Sequence, residues 1–120
     1  MLYEIRGVRQ NPEEDRRRWF TDNDFWDLYI WEDDNNEITG MQLCYERNHD
    51  EKALSWFKNG TFTHAKIDSG ESAPKNSTPI LITDGNLDKK MVAGRFKKDS
   101  RNLDRRIVVF VMKKILEFAR

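Results

Sequence analysis

From Phe25 to Asp68 the chain runs through successive stretches rich in aromatic and β-branched residues, joined in pairs by Asn35-Asn36 and Asn59-Gly60. A stretch of this kind buries one face of a strand, and a short polar break between two such stretches reads as a hairpin. With Asn35-Asn36 as a two-residue turn, Trp26 faces Tyr45, Leu28 faces Leu43 and Ile30 faces Met41, which makes one apolar face. The other face pairs Asp27 with Cys44, Tyr29 with Gln42 and Trp31 with Gly40, a ring over a glycine. Asn59-Gly60 suits a type I′ turn, because both residues tolerate positive φ. That turn pairs Lys52 with Ile67, Leu54 with Ala65 and Trp56 with Thr63. It pairs Ala53 with Lys66, Ser55 with His64 and Phe57 with Phe62 on the opposite face.

The flanking segments fix the fold class. Residues 2–9 read as a first strand, and Pro79 to Ile82 as a short late one. Asn11-Pro12 followed by Glu14 has the form of a helix cap, which predicts a short helix over 12–19. Its last turn would then hold Arg16, Arg17 and Arg18, where the helix dipole favours cations. Residues 69–79 read as a long loop. Asn86 caps a predicted helix near 87–98, and a break at Asp99-Ser100 starts a second over 101–119. The second carries Leu103, Ile107, Phe110, Val111, Ile115 and Phe118 on one stripe, widened by Val108, Met112 and Leu116. The expected fold is α+β, one domain over residues 1–120. It has a mostly antiparallel meander of about five or six strands, a short N-terminal helix and two C-terminal helices packed on one face. Trp56, Leu28, Leu43, Leu54, Ile107, Val111 and Ile115 form its expected core.

Composition excludes several function classes. No apolar run approaches the ~20 residues of a membrane span. The N-terminus has no apolar signal stretch, which predicts a soluble cytoplasmic protein. The single cysteine, Cys44, excludes an internal disulfide and a cysteine-cluster zinc site. No glycine-rich phosphate loop and no paired histidines occur, so no cofactor or metal is expected. Charge sums to zero over 120 residues, which argues against a dedicated nucleic-acid binder. The halves differ, however. Residues 1–60 hold 8 Lys/Arg against 14 Asp/Glu, and residues 61–120 hold 13 against 7. Compensation between an acidic sheet and basic helices is the expected reason.

Three groups of residues could carry function. Cys44, His64 and Asp27 fall on one face in the registers above, so a thiol, a base and an orienting carboxylate could meet there. The same face displays Tyr29, Trp31, Phe57 and Phe62, an aromatic set suited to a protein partner or a second copy of the chain. The run from Lys89 to Arg106 is basic. Lys97 and Arg101 are its candidate contacts for a polyanion, although Arg101, Arg105 and Arg106 sit where a helix N-terminus disfavours cations. The reading is a non-catalytic protein-interaction module. Its alternatives are polyanion binding through 89–106 and an enzyme using Cys44 and His64.

Overall fold

A computed structural model describes residues 1–68, 80–83 and 86–118. The predicted loop over 69–79 lies outside the described residues. Among the described residues the sheet has seven strands: β1 (Tyr3–Ile5), β2 (Arg16–Thr21), β3 (Trp26–Glu32), β4 (Ile38–Tyr45), β5 (Lys52–Phe57), β6 (Phe62–Asp68) and β7 (Ile80–Thr83). Each pairs antiparallel with the next, in the order β1 to β7, so the sheet is an uninterrupted meander. Two helices follow, α1 (Lys89–Asp99) and α2 (Arg105–Glu117).

The helices cover one face of the sheet. Trp26, Leu28, Ile30, Met41, Leu43 and Leu54 form one buried cluster with Val92, Phe96, Ile107, Val111 and Ile115. Trp56 packs against that cluster while only partly buried. Polar bonds fix where the layers meet. Trp26 Nε1 donates to Asp99 Oδ2 at 2.8 Å, and the backbone N–H of Leu2 donates to Asp99 O at 2.8 Å. At the other end, Glu32 is buried on the helical face and held by Arg16, Arg18 and Arg106. Burial would raise the Glu32 carboxyl, but hydrogen bonds from Arg106 and Arg16 outweigh it and hold the group below its usual range. Arg106 therefore stands in the first turn of α2, against the dipole, because it neutralises a buried carboxylate.

Asp88 caps α1 by accepting from Met91 N at 3.1 Å, and Asp104 caps α2 by accepting from Arg106 N at 2.9 Å. Both helices thus begin later than the sequence pattern suggests. Leu116, expected to widen the core stripe, is 59% exposed.

Two expectations are corrected. The first is the N-terminal helix. Its capping contacts do form: Glu13 N and Glu14 N donate to Asn11 Oδ1 and Asn11 O, each at 3.0 Å. They close a single turn. The chain then leaves as β2, because Trp19, Phe20 and Thr21 alternate between the two faces and pair with both β1 and β3.

The second is the register of β5 with β6. The observed partners are Lys52 with Lys66, Ala53 with Ala65, Leu54 with His64, Ser55 with Thr63 and Trp56 with Phe62. The loop is one residue longer than a type I′ turn. Gly60 N donates to Phe57 O at 3.1 Å, Phe57 N donates to Thr61 O at 2.9 Å, and Gly60 takes φ 108°. That is a type I turn closed by a left-handed residue. A one-residue slip sends every β6 side chain to the opposite face.

Candidate functional site

The sheet face away from the helices carries the candidate site. Trp19 of β2 stacks on Tyr29 of β3, with ring centres 5.9 Å apart and planes 12° apart. Tyr29 lies 6.3 Å from Trp31, and Trp31 lies 5.2 Å from Phe57 of β5. The four half-buried rings form a row across the face. The row closes over Gly40 of β4, which pairs with Trp31 on one side and Phe57 on the other. A methyl group on Gly40 would lie 2.6 Å from Phe57 Cδ1 and 3.2 Å from Trp31 Cε3. Absence of a side chain at 40 is what lets two rings from non-adjacent strands touch.

Polar groups fix the row from one side. Asp27 accepts from Trp19 Nε1 at 2.8 Å and pairs with Arg47 Nε at 2.8 Å. The Arg17 guanidinium lies 5.8 Å from the centre of the Tyr29 ring. Burial, then the Asp27 carboxylate, pushes the Tyr29 hydroxyl above its ordinary value. At the Trp31–Phe57 end, a concavity of about 540 Å³ is bordered by Glu13, Glu14 and Asp15, and by Lys58, which pairs with Glu37 at 3.7 Å. Glu13, Glu14 and Asp15 are exposed and form no ion pair among the described residues.

The predicted residues divide between the faces. Tyr29, Trp31 and Phe57 lie together on the open face. Phe62 does not: it packs under the helical layer, 5.2 Å from Phe118. Cys44 lies on the open face between Asp27 and Ala53, and is 6% exposed. His64 lies on the helical face, 1% exposed, with Nε2 2.6 Å from the Tyr45 hydroxyl. The sheet therefore separates Cys44 from His64, and the expected thiol–base pair is not assembled. Burial, then Glu51 and Asp27, pushes the Cys44 thiol up to about 12. Such a thiol stays protonated at neutral pH and is a poor nucleophile.

Trp19 is the member of the row that sequence reasoning misses, because the Asn11-Pro12 capping pattern places it in a helix. The signal is available: Trp19-Phe20-Thr21 is a run of aromatic and β-branched residues, which favours a strand. Lys97 and Arg101 are both exposed and border one groove beside α2, despite the break at Ser100. Among the described residues, no group of His, Cys, Asp and Glu is arranged to hold a metal ion. No described helix is long and apolar enough to cross a membrane. Compared with known proteins, the chain matches no family model, no curated protein and no solved structure.

Proposed function

We propose that this chain is a non-catalytic protein-interaction module that holds a basic segment of a partner on its open sheet face. The row Trp19–Tyr29–Trp31–Phe57, with carboxylates at one end that form no ion pair among the described residues, carries this reading. Half-exposed rings offer apolar area and cation-binding faces at small entropic cost. Glu13, Glu14 and Asp15 supply the charge that a Lys or Arg side chain meets there. The same carboxylates repel phosphates, which disfavours base stacking on this face. Two copies placed face to face would bring their acidic rims together, which disfavours a homodimer through it.

A photocrosslinking experiment tests the proposal. Phe57 is replaced by p-benzoylphenylalanine, a conservative change, and cells of the source organism are irradiated. Adducts to a Lys/Arg-rich protein segment, reduced by Trp31→Ala, are expected. Adducts to nucleic acid, to a second copy of the chain, or to nothing would contradict it.

A further inference from the structure

Most of the basic run is not compensated by the acidic half. Arg106 crosses to Glu32 and Arg95 pairs with Asp99, its neighbour on α1. Lys97, Arg101 and Arg105 form no ion pair among the described residues. They border one groove of about 500 Å³, where the end of α1 meets the outer side of α2. Its apolar lining includes Val108, Val109 and Met112. Ser100 Oγ, buried in the same lining, has no hydrogen-bond partner among the described residues.

Helix α2 therefore has two apolar stripes. Ile107, Val111 and Ile115 are fully buried in the core. Val109 and Leu116 point outward and are 54% and 59% exposed. Packing on the sheet needs only the first stripe. Arg105 opens α2 in a first turn with no acidic residue, where a cation opposes the helix dipole. Unlike Arg106, it has no buried carboxylate to neutralise. Both features work against the isolated fold, and both suit an anionic, partly apolar ligand.

We propose that this groove docks an acidic amphipathic helix of a partner protein. Its apolar side chains lie on Val108, Val109 and Met112, and its carboxylates meet Lys97, Arg101 and Arg105. A concave site accepts a ridge and fits a flat bilayer poorly. The apolar lining offers nothing to a phosphate backbone. A second copy on the same groove would set three cations against three, because a two-fold interface repeats the same patch. The proposal does not depend on the open sheet face.

Selection from a phage-displayed library of random peptides, about 16 residues long, on the full chain tests it. Enriched sequences should place Asp or Glu beside Leu, Ile or Phe at three- and four-residue spacing. Their binding should fall about tenfold or more on Val109→Glu and on Arg101→Glu, and persist on Trp31→Ala. Both changed side chains are exposed, so the melting temperatures should hold; Arg101→Glu alone decides the matter if Val109→Glu unfolds. Enrichment of sequences without that pattern, or binding that survives Arg101→Glu, would overturn the proposal. So would phosphatidylserine vesicles or oligo-dT that bind the groove where the peptides do not.

Discussion

The hairpins β3–β4 and β5–β6 close with the same turn and end in different registers. In each, the fourth turn residue donates to the first: Asn36 N to Asp33 O at 3.0 Å, and Gly60 N to Phe57 O at 3.1 Å. In each, that fourth residue is left-handed, with φ 62° at Asn36 and 108° at Gly60. The first hairpin then shifts by one residue between Trp31 and Glu32, where Thr39 bulges from β4. The bulge restores the pairing that a two-residue turn would have given, from Trp31–Gly40 to Trp26–Tyr45. Thr39 O accepts from Lys58 N at 2.9 Å, so the first residue after β5 holds the bulge in place. The second hairpin has no such correction. Its slip carries His64 and Phe62 under the helices and turns Thr63 outward. Turn chemistry sets a phase, and a bulge decides whether the strand keeps it.

The largest test of this contrast is Phe62→Ala. Phe62 packs beneath the helical layer, so its truncation should cost ~2–3 kcal/mol, read from a denaturant melt. Gly40→Ala comes next. It drives a methyl group into Phe57 and Trp31 and should cost ~1–3 kcal/mol. It should also change the near-ultraviolet circular dichroism of the ring row.

Cys44 gives a pH-dependent test. Its thiol is raised to about 12 in the folded protein, from an ordinary value of 9.0. Between those values the unfolded chain gives up the proton and the folded protein keeps it. Stability is therefore lost as pH rises above the unfolded value, by up to ~1.4 kcal/mol per pH unit for this one proton. Cys44→Ala should flatten the alkaline limb of stability against pH. Iodoacetamide should modify folded Cys44 near neutral pH no faster than the protein unfolds. The smallest effect is expected at Thr63→Ala, within ~0.5 kcal/mol, because that exposed side chain points away from the core.

Much of the fold is legible in the sequence where long-range and local signals agree. Trp26, Leu28 and Ile30 alternate in step with Met41, Leu43 and Tyr45, and the structure pairs them so. The stripe Ile107, Val111 and Ile115 reads as a buried helix and is one. Legibility fails where a correct local signal serves a different end. Asn11 and Glu14 make capping contacts, but β1 and β3 flank the next residues and draw them into the sheet. Asn59-Gly60 marks a turn, but the dipeptide does not show that Lys58 joins the loop. That one residue removes His64 from the candidate site and, with the misassigned Trp19, changes which rings form the row. Lys97 and Arg101 were visible as charge. The outward Val109 was not, because periodicity alone cannot tell a second apolar stripe from a wide first one.

The register of β6 decides which face of the sheet carries His64 and Phe62. In an antiparallel pair, the close approach of α-protons marks residues opposite each other at non-hydrogen-bonded positions. Nuclear Overhauser spectra of the folded protein should show the His64 α-proton against that of Leu54, with a matching contact between Trp56 and Phe62. A His64 contact to the α-proton of Ser55 instead would return His64 to the face of Cys44 and contradict the account.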